Sequence, residues 1–250
     1  MTNDIGSNTE LTYTYSILEK RGFAALETYS NVHRGSGHFS MVTTRLFEQA
    51  RNVVLEYLGL NKRKYTVIFG SALSASKLTS KLDAESYQIL SSREFGLPLG
   101  VHAMAVKKMA LPKSIPFNTG GGTARLMSQN WVVWDAAPDR FEAGTPAIIN
   151  IIVFARALQL IRKSGNNIFL NPVVEKLSAS EILYHDELEN YTGIELLNEL
   201  RKTLIGSEVT VPTTEGARSF VNLDYAASTP TFIPVWNAVR LTWRQPKKVQ

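Results

Sequence analysis

Two short stretches of this 250-residue chain carry residue types from which a binding site could be built. NTGGGTAR, Asn118 to Arg125, sets three glycines in a row between threonines, and FEAGT, Phe141 to Thr145, follows with Pro146 directly behind it. Glycines discard side chains at a cost in backbone entropy, so this backbone must turn sharply or approach another group closely. A phosphate cradle, a hairpin turn and the remnant of a cradle are all open, although no GK[S/T] follows and a Walker-type loop is excluded. The histidines are His33, His38, His102 and His185. His33 and His38 share the loop NVHRGSGHFS, but a metal would need a carboxylate or third histidine beside them, and none is apparent. GSGHFS lacks the strand context of a nucleophile elbow. The acids at Asp186, Glu187 and Glu189 read as a solvated helix face. The chain has no cysteine, which excludes disulfides, thiolate zinc sites and a cysteine nucleophile of its own.

The elements that must position these residues are legible in part. From Ser40 to Leu58, Leu46, Ala50, Val53, Val54, Tyr57 and Leu58 recur at helical spacing and Gly59 supplies a stop. YTVIF, Tyr65 to Phe69, reads as a strand that breaks at Gly70 into GSALSASK, a small-residue loop able to open a helix. A strand ending in such a loop and helix start is a layout that binds anions, because unpaired helix-terminal amides point outward there. Val101 to Lys107 and Trp131 to Trp134 read as strands on either side of the glycine loop. A helix is predicted from Pro146 to about Lys163 with Thr145 as its cap, apolar nearly all round and therefore buried. Helical patterns follow at Ser180–Leu188 and Gly193–Leu204, then a polar connection, a strand at FVNL, Phe220 to Leu223, and a Trp-rich helix from Val235 to Trp243.

Composition fits a globular protein, 44% hydrophobic and 20% charged. The richest apolar run, Ala147 to Leu160, contains Arg156 and is too short for a membrane span. MTNDIGSNTE lacks the basic and apolar parts of a secretory signal, so a cytoplasmic location is the default expectation. The net charge of +5 arises partly from NKRK and the tail RQPKKVQ. Without aromatic interleaving or a reader motif, nucleic-acid binding is not expected.

Three segments together carry a more specific signal. NVHRGSGHFSMVTTRLFEQAR, Asn31 to Arg51, then FEAGTP, Phe141 to Pro146, and FVNLDYAASTP, Phe220 to Pro230, resemble signatures of the class V aminotransferase family, in particular its cysteine desulfurase and selenocysteine lyase branch. The resemblance implies a pyridoxal-phosphate fold of α/β class: a mixed, mostly parallel seven-stranded sheet flanked by helices, a small α/β domain, and a homodimer with shared sites. It places Ser71 and Ser74 in the turn that grips the cofactor phosphate, where the family carries a pair of threonines. It sets Gly120, Gly121, Gly122 and Thr123 against that phosphate as amide donors with Thr145 beside them, and His33 and Arg34 at the substrate entrance. Asp224, Ala226, Ala227 and Ser228 form an active-site wall on the same grounds.

The chain departs from the family in three ways. After Leu78 the family has a long stretch that carries the Schiff-base lysine, whereas here only residues 79–90 precede SSREFGLPLG, which places Arg93 at the lysine position. A guanidinium stays protonated and cannot replace that amine. The chain also lacks the cysteine that desulfurases use. Thirdly, the motif that opens the family comes last here, through a circular permutation or, as preferred, a tandem arrangement. On the tandem reading residues 1–205 form a shortened domain, 206–219 a linker, and 220–250 the start of a second copy. The expected role is to complete a pyridoxal-phosphate site shared with a second copy or an aminotransferase-like partner, acting on an amino acid if active. The rival is a non-catalytic pseudoenzyme interaction module, and a further alternative is an intact enzyme using Lys107 or Lys108.

Overall fold

The computed structural model describes residues 4–32, 37–170, 176–183, 188–223 and 228–245, with backbone alone for 4–12. A long helix α1, Asp4–Glu27, is followed by α2, His38–Tyr57, and both lie on α4, Ile148–Ser164. Strand β1, Tyr65–Gly70, leads through α3, Ala72–Thr79, to β2, Tyr87–Ser91, and β3, His102–Lys107, runs back between them. Each neighbouring pair is antiparallel, with Gly70 and Ser91 both opposite His102. The α/β class and the helices on both faces are as expected. Among the described residues the sheet, however, has three strands instead of seven mostly parallel ones. Parallel neighbours need a long crossover each, and the short stretch after Leu78 provides a single one, so β1 and β2 keep a common direction only with β3 between them.

Alternation along the strands divides the interior. Val67, Phe69, Ala103 and Ala105 face α2 and α4 in the main core, while Ile68, Met104 and Val106 face α3, Leu111 and Phe141. Helix α4 is buried almost all round, from Ile148 to Ile161, as its composition requires. Its start differs from expectation. The cap is Ala147, without a side-chain bond, and neither Thr145 nor Pro146 belongs to the helix. A residue before proline is pushed toward extended backbone, which keeps Thr145 in the preceding loop.

Between β3 and α4 the chain forms a hairpin of β4, Ala124–Met127, and β5, Val132–Trp134. The glycine triplet therefore precedes a hairpin and does not join the two strands expected on either side of it. Helices α5, Ala179–Leu183, and α6, Gly193–Lys202, match their sequence patterns in part; residues 184–187 lie outside the described set. The polar connection after α6 folds as a second hairpin, β6, Thr210–Thr213, and β7, Gly216–Ser219, whose tight turn places Gly216 at φ +109. Residues 220–223 are not a strand. A strand needs a pairing edge; here the Phe220 amide bonds the Val209 carbonyl (3.0 Å), its ring lies edge-on to Phe39 (4.7 Å), and Asn222 bonds Ser228 through its side chain (2.9 Å).

The final helix, α7, Ile233–Arg244, closes on α1. Trp236 and Trp243 pack edge to face at 5.3 Å over Gly22, where a Cβ would come within 2.5 Å of the Trp236 ring. Arg244 forks onto Glu19, with Nη2 2.6 Å from Oε2, and Arg240 reaches the same carboxylate at 3.5 Å. Both tryptophans belong to the main core. None of the described helices is long and apolar enough to cross a membrane.

Candidate functional site

The two signature segments meet at a buried ion pair. Arg51 sits on the apolar face of α2, following Phe47 and preceding Val54, and is 5% exposed. Its guanidinium forks onto Glu142 of FEAGT, Nη1–Oε1 2.7 Å and Nη2–Oε2 2.8 Å, while Nε takes Glu48 at 3.0 Å and Nη1 also reaches the Val67 carbonyl. Glu142 accepts in addition the Phe69 amide at 2.7 Å, and the rings of Phe47 and Phe69 flank the guanidinium. One contact set thus fixes α2, the end of β1 and the loop before α4. Burial works against the Arg51 charge but is outweighed by Glu142 and then Glu48, so the guanidinium is held above its ordinary value. Burial pushes the Glu142 carboxyl up, against the pull of Arg51 and of the Phe69 amide. Sequence reading missed this pair. The available signal was a charge in the apolar stripe Phe47–Arg51–Val54, since a buried charge requires a partner.

The glycine loop packs on that same FEAGT turn. The Gly144 amide donates to the Gly121 carbonyl (2.9 Å), and a Cβ on Gly120 would rest 3.6 Å from Ala143. Thr123 is buried; its hydroxyl donates to the Gly120 carbonyl at 2.7 Å and accepts the Gly120 amide at 3.1 Å. The Thr123 amide also turns back on Gly120, at 3.2 Å. The Gly120 and Thr123 amides are thus engaged within the loop. Gly122, at φ +87, lines a cleft of about 290 Å³ with Arg125, Asp135 and Asp139.

On the other side of Glu142 and Pro146 lies a pocket of about 300 Å³. Ser71 and Ser74 at the start of α3, Asn118, Thr145 and the Gly100–Val101 backbone line it over Phe69, Phe141 and Ile151. Ser71 caps α3 by accepting the Ser74 amide at 3.2 Å, and the two hydroxyls lie 3.2 Å apart. Lys77 Nζ donates to Asn118 Oδ1 at 3.4 Å. The fold therefore gathers Ser71, Ser74 and Thr145 in one place, while Gly122 lines the neighbouring cleft.

The remaining expected residues divide into those outside the described set and those placed elsewhere. His33 and Arg34 lie outside the described residues, although Asn31 and Val32 before them line the Gly122 cleft. Asp224, Ala226 and Ala227 are also outside; Ser228 is buried and accepts bonds from Asn222 at 2.9 and 3.3 Å, away from the pocket lining. Arg93 is exposed on a 3₁₀ turn, Ser92–Phe95, capped by Ser91 and Glu94. Lys107 and Lys108 stand at the opposite end of β3 from Val101, roughly 20 Å along the strand.

Hydroxyls, an amide side chain and the positive end of α3 suit the phosphate of pyridoxal phosphate. The ring end fits poorly. The pocket lining has no lysine, and its one carboxylate, Glu142, is taken by Arg51 and Phe69. Among the described residues no cluster of histidines and carboxylates could hold a metal ion.

The pocket is lined by hydroxyls at the end of a β-strand and the start of a helix, in an α/β fold. Residues 73–219, more than half of the chain, match the family model described as aminotransferase class-V, and the chain belongs to that family. A probable cysteine desulfurase of Staphylococcus aureus (strain Mu50 / ATCC 700699) is 26% identical over 117 residues, 46% of this chain and 27% of the relative. A cysteine desulfurase of Shigella flexneri is 30% identical over 128 residues, 51% and 28% of the respective chains. The matched part thus spans about a quarter of these relatives' length. The apo cysteine desulfurase of Thermococcus onnurineus NA1 superposes with a TM-score of 0.46 at 15% identity, covering 60% of this chain and 65% of that one.

Proposed function

We propose that this chain serves a pyridoxal-phosphate site without itself forming the covalent bond to the cofactor. The observation that carries this reading is a pocket whose lining, Ser71, Ser74, Asn118 and Thr145, offers hydrogen bonds to a phosphate but no amine; Arg93, which the sequence resemblance sets at the family's lysine position, is exposed on its 3₁₀ turn. When bound, the cofactor supplies an electron sink for amino-acid chemistry. In the proposed arrangement the α3 hydroxyls hold its phosphate and Arg34 pairs bidentately with a substrate carboxylate. The lysine comes from a second chain or from a further part of the protein. With no cysteine, the chain cannot carry out persulfide chemistry alone.

The β4–β5 hairpin supports a shared site. Leu126, Met127, Trp131, Val132 and Val133 are all exposed on it, an apolar surface of the kind that partners cover. A homodimer or an aminotransferase-like partner domain is the proposed cover. The same hairpin favours a second reading, an interaction module that stabilises an active relative and takes no part in its chemistry.

The test mixes the purified chain with pyridoxal phosphate, reduces with borohydride and maps adducts by mass. No lysine-specific pyridoxyl adduct is expected, while Ser71→Ala with Ser74→Ala weakens retention of the phosphorylated cofactor relative to the wild type. An adduct on one defined lysine, such as Lys77 or Lys107, overturns the proposal. Mixed with an active family member, Arg34→Ala lowers turnover if the site is shared and leaves it unchanged if the chain is only an interaction module.

A further inference from the structure

We propose that the trough between α1 and α2, floored by α4, is a docking groove for an acidic amphipathic helix of a partner protein. Both helices pack on α4, and the depression between them measures about 500 Å³. Small residues line it: Ala24 on α1, Ala50 on α2 and Ala155 on α4. Ala24 is exposed, an apolar position open to solvent. Alanines set back from the rim let another backbone approach closely, and a fourth helix laid in the trough would complete a four-helix layer.

The rim selects the sign of the occupant. Lys20, Arg21 and Arg156 line the trough, no carboxylate does, and none of the three makes an ion pair among the described residues; Arg156 bonds only Gln159, at 3.0 Å. The depression continues along α2 and α4 past Val53 and Gln159, where Lys62, Arg162 and Lys163 stand against the single acid Glu56, itself 3.7 Å from Arg162. Unpaired cations around an apolar floor steer acidic partners and add specificity to apolar docking. The elongated form, running along two helices, suits a helix with apolar anchors at three- and four-residue spacing. A second copy of this chain is disfavoured as occupant. Its amphipathic helix α6 exposes Ile194 and Leu197 but carries Glu195 and Glu199 as well as Arg201 and Lys202, the last paired with Glu199 at 2.6 Å, and so brings no net negative charge to the rim.

The test is a fluorescence-anisotropy titration of the full chain with a labelled amphipathic peptide of Leu, Ala and Glu. Its controls are a Lys-for-Glu twin and an acidic peptide of the same composition with scrambled leucines. Saturable binding of the first peptide alone is expected, weakening with salt and falling about tenfold or more in K20E/R21E/R156E. Ala24→Trp fills the trough from its exposed side and abolishes binding, with unchanged circular dichroism showing that the fold is intact. Equal affinity for the scrambled peptide, or unchanged affinity in both variants, overturns the proposal. So does capture by anionic phospholipid vesicles without peptide binding, or sedimentation as an oligomer that Ala24→Trp dissociates.

Discussion

Replacing Arg51 by methionine tests whether the two signature segments are held together through the Arg51–Glu142 pair. Methionine fills most of the volume but removes both bonds to Glu142 and those to Glu48 and Val67, leaving a buried carboxylate with the Phe69 amide as its one remaining donor among these contacts. Breaking a buried pair from one side costs about 3–5 kcal/mol, a large fraction of the ~5–15 kcal/mol that stabilises a domain. Urea unfolding followed by tryptophan fluorescence should show the midpoint falling at unchanged slope. The double variant Arg51→Met/Glu142→Leu removes both charges and should recover at least ~2 kcal/mol of that loss. The single variant should also show a stronger pH dependence than the intact protein, because the carboxyl that burial already raises loses the opposing pull of Arg51. With the cation gone, burial alone raises the folded-state pKa of Glu142 above its unfolded value, so the carboxyl's contribution is fully present below the unfolded pKa and is lost as pH rises through the folded one. Arg51→Met is therefore expected to be less destabilised near pH 4–5 than near pH 8. A loss below ~1 kcal/mol, as for an exposed arginine, or a double variant no better than the single, would refute the argument.

Three further outcomes follow from individual contacts. Tyr15, buried with its hydroxyl 3.4 Å from the Phe169 carbonyl, has its pKa pushed up to about 12 by burial, against the pull of Arg244. Its stabilising contribution is full below pH ~10 and declines between pH ~10 and ~12 by roughly 2–3 kcal/mol; absorbance at alkaline pH should track this loss, and Tyr15→Phe should remove it. Gly22→Ala drives a methyl into the Trp236 ring and is expected to cost ~1–3 kcal/mol with a red-shifted tryptophan emission. Gly37→Ala, with nothing within 4 Å and a φ of −59, is its steric control, expected to cost less than ~1 kcal/mol through the weaker N-cap alone. Ser71→Ala deletes the α3 cap and should cost about 1 kcal/mol in thermal or urea unfolding.

The sequence showed best what local physics decides. The α2 stripe, the β-branched run at Tyr65–Phe69, the all-round apolar α4 and the Trp-rich α7 each declared themselves through periodicity or burial. Long-range closure was hidden. Nothing local pairs Arg51 with Glu142, or tells that β3 would insert between β1 and β2. The β6–β7 hairpin was masked by polar residues because it is exposed on both faces and so carries no apolar alternation. Of the site, Ser71, Ser74 and Thr145 were legible from the strand–loop–helix layout and the family motifs together; Asn118 joins them only through folding.

The clasp of α7 on α1 sets an order of events during synthesis. Glu19 and Arg244 are separated by 225 positions. At roughly 5–20 residues per second a ribosome needs on the order of 10–45 seconds to bridge that gap. For that interval the notch at Gly22 has no tryptophan to fill it. The Gly22 face of α1 thus stays uncovered until α7 has been made, while the rest of α1 can already lie on α4.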